Sequence, residues 1–464
     1  MSKGLLKIVV PIALIVVLAI GLPLMSGCIG KPAAEAEVWK AGYIGALATD
    51  VGRSAERGTE IAVDEINAAG GLLGRQIVLV KADATEDPTE GVKAYEYLAE
   101  SQKVDFMVSG CIDDVSLGWM PRLLEFKIPM LDTWTSAIRC IEIAHDDYEA
   151  GGKAYFMPHM NDYDQGAEYV AFANDILAAE MGWETCVLYF EDTAYGGGVA
   201  EYVRDEIAPG AGIEVIGEVV YDIGTFDFAP VYAKIIEYDP DFIFHISSVN
   251  CIPPSAAYIE LQVPIPILGV NVAACSAEFW DDMGGLAGGF CATMPPPTIG
   301  MDWDPVSQGF IDKYRARYTQ RPIFSHFNGF NAYHGVYMMV EAAERAGGFK
   351  GEYLDRWVEE MEKTDLILWR YGGYERDDAA AQAAGEDADI KWQYYKFYGP
   401  EHPYTHSSVL DQTGENGRPG GCVMQWKLEK QDPIEATVGI IHPPRWRNTD
   451  YIFVPWIPEE KRGR

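Results

Sequence analysis

Positive charge is scarce in this 464-residue chain: 36 Lys and Arg stand against 70 Asp and Glu, a formal net charge of −34. A surface of that sign repels nucleic acid and anionic lipid, so no nucleic-acid partner is expected. The acid is spread along the chain and reads as a solvated surface. Cysteine is also sparse: there are eight, and no two have the C-x-x-C spacing of a zinc or redox site. The eight His are scattered. His402 and His406 lie four apart, but Pro403 between them breaks the helix that would put both on one metal-binding face. G-x-S-x-G, H-E-x-x-H, G-x-x-x-x-G-K and G-x-G-x-x-G are all missing. Gly196-Gly197-Gly198 reads as a helix-start turn, too lax for a dinucleotide fingerprint. These absences point away from an enzyme, and the sequence implies no catalytic residue, metal or cofactor.

Long apolar runs are missing too, except for one. Ile8–Met25 is uncharged, follows Lys3 and Lys7, and ends in Met25-Ser26-Gly27-Cys28. A basic start, an apolar core and a small-residue exit read as an export signal. The ending resembles a lipobox, which implies that Cys28 is lipidated and becomes the first residue; Met25 stands where a lipobox usually has Leu. The alternative is an uncleaved anchor, since these 18 residues just reach the lower bound for a membrane span. Pro11, Pro23 and the tail Gly27-Cys28 favour the lipoprotein. Either way the remaining chain is expected outside the cytoplasm, held to the cell membrane by its N-terminus. Removing 27 of 464 residues leaves 437, a length for two lobes with decoration. Besides Cys28, seven cysteines remain, so at least one is unpaired. Cys186 and Cys291 fall in apparent strands as small core residues, and a Cys111–Cys140 disulfide is open to a chain outside the cell.

After a polar tether at 29–37 (IGKPAAEAE), strand-like and helix-like segments alternate. Strands are expected at Val38–Leu47, Gln76–Val80, Val104–Val108 and Ile128–Leu131. Between them come helices at Gly52–Ala69, stopped by Gly70-Gly71, and at Pro88–Ser101 and Ser116–Phe126. The rhythm restarts after Pro158: helix Asp162–Met181, strand Thr185–Phe190, helix Gly197–Ile207, strand Ile213–Val220, helix Phe228–Tyr238, strand Phe242–Ile246, helix Pro254–Leu261 and strand Ile265–Leu268. Such alternation predicts parallel sheets covered on both faces, here α/β with two doubly wound lobes. Pro295-Pro296-Pro297 reads as a crossing between lobes. Helices follow at Pro305–Tyr318, His326–Ala346 and Leu354–Lys363. Residues 365–421, rich in Tyr, Trp, Gly and Asp, read as an elaborated loop region. Late strands are expected at Cys422–Lys427, Ala436–Ile440 and Tyr451–Val454. The lobes should interleave, 38–157 with 296–415 and 158–295 with 416–464.

Four segments carry a resemblance. AVDEINAAGGLLGRQIVLVKADATEDP (62–88), GTFDFAPVYAKIIEYDPDFIF (224–244), the turn Asp192-Thr193-Ala194-Tyr195-Gly196 and CVMQWK (422–427) follow in the order and spacing of one family. The chain resembles the type I periplasmic binding proteins of the branched-chain amino acid (Leu/Ile/Val-binding) family, substrate-binding lipoproteins of ABC transporters. The likeness runs from about 38 to 345 and returns weakly at the end. It implies two lobes joined by multiple interlobe crossings, a small-molecule ligand enclosed between them, and the permease subunits of an ABC importer as partners. Residues 365–421 are longer than the family pattern.

Ligands of open parallel sheets bind beyond the carboxyl ends of strands, against helix N-termini. The candidate loops are therefore 109–114, with Asp113 and Asp114; 132–136, with Trp134, Thr135 and Ser136; the turn at Tyr195; Ser247, Ser248 and Asn250; Gly269 and Asn271; and Asp50, Val51, Gly52 and Arg53. The resemblance implies that Ser occupies the Asp113 region and holds the ligand carboxylate, that Thr135 and Ser136 grip both ligand ends, and that a Glu near Asn271 pairs with the ligand ammonium. This chain departs at both ends, with Asp113-Asp114 for Ser and Asn271 for the acid. A carboxylate facing a ligand carboxylate is repulsive. The ligand then sits differently or is not a plain α-amino acid, and a small amino-acid-like or amide-like solute is expected, urea or a short amide included.

Blander readings stand beside these. Asp114 serves equally as the N-cap of its helix. Trp134 either stacks on a ligand or packs the cleft wall, and Tyr195 either closes over the ligand or lies on the surface. Arg53 pairs with Glu56 on its own helix more readily than with an anion. A sensor domain feeding a receptor is the rival to transport, but no kinase, transmembrane or coiled-coil segment follows the binding module.

Overall fold

The computed structural model describes residues 37–294, 299–300, 305–318, 327–367, 394–408, 422–432, 434–442 and 447–463. Two parallel sheets organise them. The first contains β1 (Trp39–Gly45), β2 (Ile77–Asp83), β3 (Phe106–Gly110), β4 (Met130–Asp132) and β5 (Tyr155–Phe156), in the order β2-β1-β3-β4-β5. The second contains β6 (Thr185–Glu191), β7 (Glu214–Tyr221), β8 (Phe242–Ser247) and β9 (Ile267–Asn271), in the order β7-β6-β8-β9. Beside it lies an antiparallel trio in which β10 (Cys291–Met294) pairs with a late strand. Strands β3, β8 and β9 are buried at every residue, as apolar runs covered on both faces must be.

Local signals account for most helices. In α1 (Asp50–Ala68) the Thr49 side chain accepts the Gly52 N–H, and Gly70 and Gly71, both at positive φ, turn the chain away at the far end. Helix α2 (Pro88–Glu96) starts with Asp87 as cap and Pro88 in the first turn, and continues as a wider turn over Tyr97–Gln102. Helix α3 (Asp113–Phe126) begins three residues before its expected start. Helix α4 (Ile138–Asp146) and the two-residue β5 were not expected. Ile138, Cys140, Ile141 and Ala144 of α4 are buried at helical spacing, but the preceding Thr and Ser residues mask the pattern. The second half starts with α5 (Asp162–Phe172) and α6 (Ala194–Tyr202).

Three apolar cores result. One face of the first sheet packs Ile44, Leu98, Val115, Trp119 and Cys140. The other packs Tyr43, Ile61 and Phe106 with residues from much later in the chain, including Phe310, Tyr333, Trp357 and Phe397. The second sheet shares its core with Cys422, Trp426, Ile440 and Val454. The helix Phe327–Ala346 crosses α1 so closely that a Cβ on Gly58 would lie 2.1 Å from the Gly329 carbonyl oxygen.

Several late expectations resolve differently. Strands β11 (Asp365–Ile367) and β12 (Tyr394–Lys396) pair antiparallel inside the supposed loop region, of which 368–393 and 409–421 lie outside the described residues. Ser407 and Ser408 then bridge to Met157 and Phe397, extending the edge beyond β5. Strands β13 (Cys422–Trp426) and β14 (Val438–His442) complete the antiparallel trio. Tyr451–Val454 is not a strand. The side-chain amide of buried Gln425 takes the place of a ladder there: it accepts the Ile452 N–H at 2.7 Å and donates to the Ile452 carbonyl at 2.8 Å. The seven described cysteines are all buried, and Cys111 and Cys140 form no disulfide. The crossing at Pro295–Pro297 and the whole N-terminal signal, Cys28 included, lie outside the described residues. Among the described residues no helix is long and apolar enough to cross a membrane.

Candidate functional site

The carboxyl ends of β3, β4, β6, β8 and β9 face a cavity of about 550 Å³, part of it open to solvent. Six residues named as candidates line it: Asp113, Asp114, Trp134, Ser136, Tyr195 and Ser248. Ile112, His159, Met160, Gln165, Val249, Val270, Val272 and Thr293 complete the wall.

Neither aspartate caps α3. Its cap is Ile112, which makes no side-chain bond. Asp113, the first helical residue, turns back to the loop after β4 and accepts the Ser136 N–H at 2.8 Å and the Ser136 hydroxyl at 3.2 Å. That hydroxyl also lies 2.9 Å from Asp162 Oδ1, and Asp162 Oδ2 accepts the Ile138 N–H at 3.3 Å. A hydroxyl has one proton, so it serves both carboxylates only when one of them is itself protonated. Burial favours that state. It pushes the Asp113 pKa up to about 7, with the charges of Asp132 and Asp114 adding to it against the Ser136 N–H bond. Burial likewise raises Asp162 well above the usual carboxylate range, with the charge of Asp113 next in importance. Asp132, at the end of β4, is pushed up to about 6 by burial and accepts the Tyr155 hydroxyl at 3.2 Å.

Asp114 reaches the other way. Its Oδ2 accepts the Ala194 N–H at 3.2 Å, the first N–H of α6. This bond joins a helix on the first sheet to a helix on the second, across the cavity mouth. It completes the N-terminus of α6 with a negative group, where helix polarity favours one. Trp134 lies flat on His159, with centroids 5.8 Å apart and planes 10° apart, so it is both cavity wall and packing partner. Tyr195 is buried and not a surface residue; its hydroxyl donates to Gln165 Oε1 at 2.9 Å.

The other expected residues do not reach the cavity lining. Thr135 and Ser247 are fully buried beside it. Asn250 donates to the Ile223 and Thr225 carbonyls and ties its loop to the one after β7. Asn271 caps the turn Val272–Cys275 by accepting the Ala274 N–H, and its amide donates to Ser255 Oγ at 2.7 Å. Val51 and Gly52 anchor the start of α1: their carbonyls accept from Asn328 Nδ2 at 2.9 Å and Tyr43 OH at 2.5 Å. A Cβ on Gly52 would lie 2.2 Å from the Ala46 carbonyl oxygen. Arg53 pairs with Asp50 and not with Glu56, whose carboxylate takes Lys81 at 2.5 Å.

One organising residue escaped sequence reasoning. Glu191 ends β6, where the order of the second sheet reverses between β6 and β8. Its fully buried carboxylate accepts the backbone N–H of Ser248 (2.9 Å), Val249 (3.1 Å) and Asn250 (3.1 Å), and the Ser248 hydroxyl (2.5 Å). It thus shapes the loop that brings Ser248 and Val249 to the cavity. Its signal was a single acid closing the apolar run Cys186–Phe190. The lining offers carboxylates, hydroxyls, an amide and aromatic faces, a set suited to holding a polar molecule by hydrogen bonds. Among the described residues no group of His, Cys, Asp and Glu is placed to hold a metal ion.

Comparison with known proteins agrees with this architecture. The sequence profile described as "Periplasmic binding protein" matches residues 42–385. The chain is 22% identical over 328 residues to Leu/Ile/Val-binding protein homolog 8 of Brucella abortus, covering 68% of this chain and 77% of that one. Among solved structures, the branched-chain amino acid transporter substrate-binding protein LivJ of Streptococcus pneumoniae, in complex with isoleucine, superposes with a TM-score of 0.66 at 18% identity. That match covers 88% of this chain and all of LivJ. An ABC transporter substrate-binding protein of Sphaerobacter thermophilus gives the same score at 19% identity, over 89% of this chain and 99% of the other.

Proposed function

Because the chain belongs to the type I periplasmic binding proteins of the Leu/Ile/Val-binding family, we propose that it captures a small polar solute between two lobes and hands it to an ABC importer. The family is one of extracytoplasmic binding proteins and not of enzymes. The lobes of this proposal are 38–157 with 296–415 and 158–295 with 416–464. The observation that carries it is the cavity walled by both sheets, with Asp114 of one side bonded to Ala194 of the other. That bond stabilises the closed arrangement, and a ligand touching both sides adds to it.

Closure makes ligand binding a stability term. A ligand that binds only the folded chain raises its stability by about 2.7 kcal/mol at a hundredfold excess over Kd. The test is a mass spectrum of small molecules retained by the purified full chain, followed by thermal melting with each of them added back. A chain that retains nothing, and whose melting no amino acid, amide or amine shifts, refutes the proposal. Attachment through lipidated Cys28 belongs to the same proposal and rests on Ser26-Gly27-Cys28 after the apolar run. Cys28→Ser is expected to release the protein from membranes or leave its precursor unprocessed. Unchanged processing and attachment would favour a plain membrane anchor.

A further inference from the structure

The cavity is lined by carboxylates, and donors that would welcome a negative ligand group are already taken at two of its edges. The loop after β4 and the start of α6 point N–H groups toward it, the usual means of holding a carboxylate, while the start of α3 has no side-chain cap. At the loop, the Ser136 N–H and hydroxyl are both engaged by Asp113. At α6, the first N–H is engaged by Asp114. The chain thus places its own carboxylates where a ligand carboxylate would be held. Among the described lining residues there is no Lys or Arg to offset them. On the same wall stands the indole of Trp134, whose face attracts cations.

Resting on the binding-protein reading above, we infer that the ligand of this cavity is an organic monocation without a free carboxylate: an amine, amidine or quaternary ammonium with a compact apolar body. Its charged head sits against Asp113 and Asp114, within reach of the Trp134 face, and its body meets Val249, Val270 and Val272. An amino acid would bring a second charge of the wrong sign beside two aspartates.

The inference has a proton signature. Asp113 is surrounded by acids: Asp114 on its own helix, Asp132 at the end of β4, and Asp162 through Ser136 on α5. His159 and Tyr195 line the same cavity, and Cys140 and Tyr155 lie close behind. A cation drives the Asp113–Asp162 pair to give up a proton, whereas a carboxylate drives it to keep or gain one.

The test pairs molecules of similar body with and without a carboxylate: isoleucinol with isoleucine, which adds a carboxylate to the same ammonium, and tyramine with hydroxyphenylacetate, which replaces the ammonium by a carboxylate. Thermal melting and calorimetry of the full chain are run with each, in phosphate and in HEPES, so that the difference in heat reports protons exchanged. Any small molecule found by mass spectrometry on the purified chain joins the set. Binding by amines at least about tenfold tighter than by their carboxylate partners, with proton release near pH 7, is expected. Asp113→Asn and Asp114→Asn should each weaken amine binding roughly ten- to a hundredfold, and Asp113→Asn should also remove the proton release. Equal or tighter binding of the carboxylates, or a retained molecule that is neutral or bears a free carboxylate, overturns the inference and leaves the binding-protein reading standing. A chain that retains nothing and responds to neither class overturns both.

Discussion

Replacing Glu191 by Gln tests how the second sheet shapes the cavity, because it removes a charge and changes almost no volume. The carboxylate takes three backbone N–H groups and two hydroxyls, those of Ser248 and Thr193. Val249 N lies 3.1 Å from both carboxylate oxygens, so neither can be exchanged for a donor without cost. In the amide, one oxygen still accepts, but the NH2 faces the N–H of Asn250 or Ser248. A buried N–H left unsatisfied costs about 1–3 kcal/mol. The remaining bonds lose their charge assistance, at about 0.5–1 kcal/mol for each of two or three. The sum is about 2–6 kcal/mol. Urea unfolding should show it as a lower midpoint with an unchanged slope, since the surface exposed on unfolding is the same. Ligand affinity should fall about tenfold as well, because Ser248 and Val249 line the cavity. A stability change under about 1 kcal/mol with unaltered affinity would show that the loop holds its shape without Glu191.

Two further outcomes follow from other parts of the molecule. His245 and His334 are buried, and burial pushes both down to about 3 from an ordinary value of 6.5. The folded chain keeps them neutral while the unfolded chain protonates below 6.5, so their contribution is complete above that pH and is lost as pH falls, about 2 kcal/mol each at pH 5. Asp113 and Asp132, raised by burial, act in the opposite direction over pH 4–7; the comparison of His245→Phe with the parent therefore isolates the histidine, and an unchanged stability difference between pH 7 and pH 5 would count against it. Gly58→Ala should cost about 1–3 kcal/mol in urea unfolding, because the new Cβ would force α1 away from the helix carrying Gly329. An unshifted midpoint would mean that the two helices separate freely.

Much of this molecule is written locally. Thr49 and Asp87 as caps, Gly70-Gly71 as a stop and the apolar runs of β3, β6 and β8 each act on neighbours a few residues away, and they place those elements in the chain without reference to the fold. The alternation of strand and helix then makes the sheets parallel, and parallel sheets put their strand-end loops in one place. That reasoning was enough to single out the loops of Asp113, Trp134, Ser136 and Tyr195. It was not enough to say what each side chain does, because the partners are distant in sequence: Asp114 meets Ala194 eighty residues on, and Glu191 meets Val249 fifty-eight residues on. The same holds where expectation failed. Asn271 became a cap, Arg53 chose Asp50 over Glu56, and Gln425 replaced a strand at Ile452. A backbone segment takes its conformation from its own residues, but a polar side chain takes whichever partner the packed fold brings within hydrogen-bond reach, since leaving it unpaired inside costs more than any local preference returns. By itself the sequence determined most of the elements, their order and the end of the sheets at which the cavity lies. The tertiary structure alone decided that Asp113 takes the Ser136 N–H and Asp114 the Ala194 N–H there.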